Sequence, residues 1–158
     1  MSYASYIDYL EKLASVIITN IQRLELPPNP VVVFDIDDTL IHSRLNEPIT
    51  PMINCYRTLK ALGIGIQIVT ARMFIDEVVA YTKLQLSHCG ISDDTIYFRN
   101  PDQEDITQYK FDCRRHIRER GLNTIASVGD QPWDIGAYGG LGFIVPTYVP
   151  TLVDDWFI

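Results

Sequence analysis

Residues 31–40, "VVVFDIDDTL", set four apolar side chains directly before three aspartates, Asp35, Asp37 and Asp38. An unbroken apolar run without alternation reads as a strand covered on both faces, the habit of parallel sheets. Three carboxylates crowded at its end resist ionising together. They become compatible when they share a divalent cation, and Mg2+ takes its oxygens from one or two carboxylates, phosphate and water. Helix capping uses a single side chain and accounts for one aspartate, not three.

Upstream of this strand, Tyr6, Leu10, Leu13, Ile17, Ile21 and Leu24 recur every three or four residues. That stripe predicts an amphipathic helix over 3–24, stopped by "LPPNP" at 26–30. Downstream, Thr50 and Pro51 predict a helix start with Thr50 as N-cap, running to about Leu62 and ending at Gly63. A buried strand over 64–70 follows, then a helix over 74–88 closed by Gly90. A strand at 95–98, a polar loop at 99–105 and a helix over 108–120 come next. Strands at 124–128 and 142–145 and a tail with Pro146 and Pro150 complete the chain. Strands alternating with helices predict an α/β fold: a parallel sheet with helices on both faces. There is no internal repeat or interdomain linker. The reading is one domain over 1–158, with 1–26 as a helical extension and 31–146 as the core.

The length of 158 residues suits a single core. Lys plus Arg number 13 against 20 Asp plus Glu, a net charge of -7. This balance argues against general affinity for nucleic acid or anionic membrane. The N-terminus carries acids early and lacks a basic stretch followed by an apolar core, so it does not read as a signal peptide. No apolar run is long enough to cross a bilayer. Cys55, Cys89 and Cys113 form no CxxC pair and read as packing residues in a reducing compartment, with an intracellular, cytoplasmic location.

In parallel α/β sheets, ligands bind beyond the carboxyl ends of the strands. The first strand delivers Asp35 and Asp37 there, the second Thr70, Ala71 and Arg72, and the "TIASV" strand Asp130 and Asp134. Lys110 lies at the start of a helix. A carboxylate such as Asp35 can attack a phosphoryl group and split one hard step into two. Asp37 can protonate the leaving alcohol and later deprotonate water. Thr70 can hold a phosphate oxygen, and Lys110 can neutralise charge on the transferring group.

The ordered set "FDIDDTL", "IVTAR", "YK" and "VGDQPWD", spanning residues 31–134, resembles the haloacid dehalogenase (HAD) superfamily of phosphohydrolases. The resemblance implies a Rossmann-like sheet and Mg2+ as cofactor. It also implies nucleophile Asp35, acid/base Asp37, phosphate-binding Thr70 with Ala71 and Arg72, and Lys110 steadying the phosphoryl group. The metal ligands so implied are Asp35, the Asp37 backbone carbonyl and Asp130, with Asp134 supporting the metal shell or Lys110. "YKFDCRR" and "GDQPWDIGAYGGLGFIVPTYVP" are similar to the acid phosphatase branch that includes bacterial class B and plant vegetative storage-type proteins. The expected activity is hydrolysis of a small phosphomonoester, such as a nucleotide, through an aspartyl-phosphate. "FDIDDTLIHS" is also similar to FCP/SCP-type protein phosphatases, the competing enzyme reading. A non-catalytic storage or scaffold protein on the same fold would have lost the nucleophile, and Asp35 is present.

Residues 40–69 hold one loop, one helix and one strand, so the site is expected to be capless or minimally capped, with an oligomer partner as one means of closing it. His42, His88 and His116 have no zinc spacing, and His42 reads as a solvated loop residue. The four arginines of "RRHIRER", 114–120, read as a solvated helix face. Arg72 reads as paired with an acid, and Trp133 and Tyr138 as core packing.

Overall fold

The computed structural model describes residues 2–149. Five strands form one fully parallel sheet: β1 (Pro30–Phe34), β2 (Gly65–Met73), β3 (Thr95–Arg99), β4 (Asn123–Gly129) and β5 (Leu141–Ile144). Their spatial order is β3-β2-β1-β4-β5, so β1 is central and its neighbours β2 and β4 flank the Asp35 end. Val31 to Phe34 are buried, as the unbroken apolar run requires of a strand covered on both faces.

Helices α1 (Tyr3–Gln22), α2 (Thr50–Ala61) and α3 (Asp76–His88) bury side chains in the core on one face of the sheet. Helix α4 (Ile106–Glu119) covers the other face, setting Tyr109, Cys113 and Ile117 against Val31, Val33 and Val69. All three cysteines are free and buried. Among the described residues no helix is long and apolar enough to cross a membrane.

Element boundaries differ from the sequence reading by a few residues, each for a local reason. Helix α4 starts at Ile106 because the Asp105 side chain accepts a hydrogen bond from the Gln108 amide at 3.0 Å, which puts Lys110 in the second turn. Thr50 is the first helical residue of α2, not its cap; Ile49 is the cap, and the constraint comes from Pro51. Strand β2 continues through Thr70, Ala71 and Arg72 to Met73, rejoining β3 at Arg99 after a register shift, and α3 begins at Asp76. Pro150 lies outside the described residues. No domain is inserted between β1 and α2 or between β2 and α3 among the described residues.

The N-terminal helix is built into the main core. Tyr6, Leu10, Ala14, Ile17 and Ile21 are buried, whereas Leu24 falls beyond the helix end and is exposed. Tyr6 also donates from its hydroxyl to the Pro146 carbonyl at 2.9 Å, tying α1 to the segment after β5. Leu10 is fully buried, so Leu10→Ala is expected to destabilise the fold by about 2–5 kcal/mol, measured by urea denaturation. A loss under about 1 kcal/mol would mean that α1 packs loosely and is not part of the core.

Candidate active site

The chain turns sharply after β1, and the turn sends its three aspartates to different partners. The Ile36 carbonyl accepts from the amides of Thr39, Leu40 and Ile41 at 3.1, 2.8 and 3.1 Å, closing a tight loop over a fully buried side chain. Asp38 sits in the left-handed region, φ 58°, where Asp is among the side chains best tolerated. Its carboxylate accepts from the Ser43 amide at 3.0 Å and the Ser43 hydroxyl at 2.7 Å, so Asp38 ties down the loop. Asp37 faces Arg72 of β2 in a two-pronged pair, Nε to Oδ2 at 3.0 Å and Nη2 to Oδ1 at 2.8 Å. Nη1 of Arg72 is held in turn by Thr82 and Gln85 of α3 at 3.0 and 2.6 Å. The ion-pair reading of Arg72 therefore holds.

Asp35 stays in line with its strand, its amide donating to Val128 of β4 at 3.0 Å. It is 8% exposed. One carboxylate oxygen accepts from Lys110 Nζ at 2.9 Å and the other from the Thr39 hydroxyl at 3.3 Å. Lys110, 2% exposed, also donates to the Val69 carbonyl at 2.7 Å and pairs with Asp134 Oδ1 at 2.8 Å. Asp134 is fixed through its other oxygen, which accepts from the Gln131 amide at 3.0 Å. Gly129 leaves room for it, since a Cβ there would collide with the Asp134 carboxylate. Tyr109, one residue before Lys110, has its hydroxyl 2.7 and 2.9 Å from the Thr70 and Tyr97 carbonyls and so ties α4 to β2 and β3.

Oxygens of Asp35, Asp130 and Asp134 lie within 4.8 Å of one another. One ammonium pairs with two of these three carboxylates, Asp35 at 2.9 Å and Asp134 at 2.8 Å, so negative charge exceeds positive in the cluster. A compact, mostly buried, all-oxygen set with excess negative charge fits a hard divalent cation. The Asp37 side chain is not part of this set, being engaged by Arg72.

Thr70 is fully buried within β2, its hydroxyl accepting from the Arg72 amide at 3.1 Å. The Ala71 carbonyl accepts from Arg99 Nε at 3.0 Å. Thr70, Ala71 and Arg72 thus share the carboxyl edge with the carboxylates, and the Arg72 guanidinium is committed to Asp37, Thr82 and Gln85.

Several sequence expectations are corrected. His42 is not a solvated loop residue: it is 3% exposed, beside the rings of Tyr3 and Tyr6, and burial lowers its pKa. Tyr138 is not core packing: at φ 63° on the loop before β5 it is 48% exposed, while Trp133 is half-buried. In "RRHIRER", Arg115, Arg118 and Arg120 are solvated but Arg114 is buried. Its position four residues after Lys110, on one helix face, is the sequence signal for that burial.

The family model described as HAD superfamily, subfamily IIIB (acid phosphatase), matches residues 42–147. The chain belongs to this family. It is a HAD acid phosphatase, hence a phosphatase enzyme. Thr70, Lys110, Asp130 and Asp134 lie inside the matched span, while Asp35 and Asp37 precede it. Two solved structures are similar in fold, the class C acid phosphatase from Bacillus anthracis and that enzyme with tungstate bound. Each superposes with a TM-score of 0.68 at 12% sequence identity, covering 90% of this chain and 77% of the other. No protein of curated function matches the sequence.

Burial makes the carboxylates of this acid phosphatase cluster hold protons more tightly than free aspartates do. Burial raises Asp35 from 3.8 to about 7, with Lys110 pulling the other way, and burial also raises Asp130 and Asp134. The folded chain therefore holds protons that the unfolded chain releases. That contribution to stability is complete below 3.8 and is lost as pH rises through about 7. In EDTA the melting temperature is expected to fall across this window, and Mg2+ is expected to restore it above the folded value. A melting temperature that stays flat or rises across the window in EDTA would contradict the reading.

Proposed function

We propose that this acid phosphatase hydrolyses a small phosphomonoester, nucleotides included, through a phosphorylated Asp35, with Mg2+ as its cofactor. The observation that carries the reading is the buried Asp35–Lys110–Asp134 pairing at the carboxyl edge of the sheet, with Asp130 alongside. Asp35, Asp130 and Asp134 would hold the cation, with the Asp37 backbone carbonyl as a further oxygen. Bound there, a divalent cation supplies charge neutralisation and polarises the phosphoryl oxygens.

Asp35 is the nucleophile. Lys110 and Thr39 each hold one of its oxygens, fixing the carboxylate towards the phosphorus. Attack forms the bond between Asp35 and phosphorus and breaks the ester bond, and the leaving alkoxide takes its proton from Asp37, which must enter the step protonated with one of its two bonds to Arg72 released. Water then attacks the same phosphorus, gives a proton to Asp37, and frees phosphate and Asp35. Arg72 orients Asp37 in both steps. Thr70 positions a phosphoryl oxygen, and the Lys110 ammonium offsets charge that grows on the transferring group.

Hydrolysis of p-nitrophenyl phosphate is expected to require Mg2+, to stop in EDTA, and to drop by about 10³-fold or more in Asp35→Asn. Turnover of comparable rate in the folded variant would exclude Asp35 as nucleophile. A panel of nucleoside monophosphates against phosphopeptides then separates the small-substrate reading from the FCP/SCP-type one.

A further inference from the structure

The loop that carries Asp130 and Asp134 bonds to itself at its 3-10 turn, where Gln131 and Asp134 hold each other, and at the Gly139 amide, which donates to the Gly136 carbonyl. Between β4 and β5, residues 130–140 contain a single 3-10 turn, Pro132–Asp134, and then Gly136, Gly139 and Gly140. Gly136, Tyr138 and Gly140 lie at φ 119°, 63° and 64°. Glycine-rich backbone loses more conformational freedom on ordering than other segments, so such a loop needs partners.

Arg114 of α4 provides them. Its Nε donates to the Ala137 carbonyl at 2.9 Å and its Nη1 to the Trp133 carbonyl at 2.8 Å. The two carbonyls lie on either side of Asp134 in the chain. The arginine is 4% exposed, and its hydrogen bonds go to main-chain oxygens rather than to a carboxylate. Burying a guanidinium is costly unless its donors find partners, and here two of them are spent on the loop backbone. The backbone also packs against the arginine stem: a Cβ at Gly139 would lie 3.3 Å from Arg114 Cδ and 2.8 Å from Ser127 Oγ. Ser127 secures the far end of the loop, donating to the Gly139 carbonyl at 2.9 Å.

Lys110 and Arg114 are one helical turn apart, so a single face of α4 fixes both Asp35 and the loop bearing its companion carboxylates. We infer that Arg114 is a positioning residue for the divalent-cation site. By fixing the Trp133 and Ala137 carbonyls it holds Asp134 within reach of Asp35 and Asp130. This inference rests on the metal reading given under Proposed function.

The test is calorimetric titration of the EDTA-treated, dialysed full chain with Mg2+ and with Mn2+, in wild type, Arg114→Lys and Arg114→Met. Arg114→Met is expected to bind either cation about 10–100-fold more weakly, the usual effect of removing a group that orients a ligand. Arg114→Lys is expected to fall between, since an ammonium is a point charge and cannot fork two carbonyls as a guanidinium does. In p-nitrophenyl phosphate assays, the Mg2+ concentration giving half-maximal rate should rise, while kcat at saturating Mg2+ returns towards wild type. A folded Arg114→Met with wild-type cation affinity would overturn the inference. Where that variant does not fold, Arg114→Gln, which retains a donor amide, is judged by the same criterion. A wild type that binds neither cation would instead overturn the metal reading, and this inference with it.

Discussion

The structure depends on keeping Lys110 and its carboxylates out of water together. An ammonium 2% exposed is tolerable because its donors face Asp35, Asp134 and the Val69 carbonyl. Each of those partners comes from a different element, so the ion pair can form only when β1, β2, the loop after β4 and helix α4 are all in place. Removing Lys110 alone would leave three carboxylates crowded within 4.8 Å without the ammonium that pairs with two of them. The neighbouring geometry serves this constraint: Gly129 makes space for Asp134, Tyr109 locks the helix, and the buried Ile36 closes the turn behind Asp35.

The crowding of acids after β1 is resolved by distribution. Asp35 joins the lysine and the carboxylate set, Asp37 meets Arg72, and Asp38 binds Ser43. Each partner lowers the repulsion that three adjacent charges would otherwise impose. The left-handed residue Asp38 makes the separation possible, since it reverses the chain between Asp37 and the loop.

Much of the fold was legible because periodicity is local. The apolar run at 31–34 specifies a covered strand, and the alternation of strands and helices specifies a parallel sheet whose carboxyl edge must collect Asp35, Thr70 and Asp130. Lys110 could be placed near that edge by motif. What the sequence could not show was pairing across elements. Whether Arg72 meets Asp37 or a substrate depends on how β2 extends past Thr70, which its register shift against β3 decides. His42 and Tyr138 differ from the sequence expectation because loop residues are buried or exposed by what folds over them: α1 covers His42, whereas Tyr138 rests against the Phe111 ring and stays 48% exposed. Arg114 was hidden in a run of arginines, although its spacing from Lys110 placed both on one helix face.

The most direct test of the central claim is to trap the covalent intermediate. Enzyme mixed with p-nitrophenyl phosphate and Mg2+ is quenched in acid during the first turnover, digested, and its peptides read by mass spectrometry. The expected result is a phosphoryl group on the peptide spanning Asp35, absent from Asp35→Asn. A phosphoryl group on another residue, or turnover with none on the protein at any quench time, would contradict Asp35 as the group that takes the phosphate.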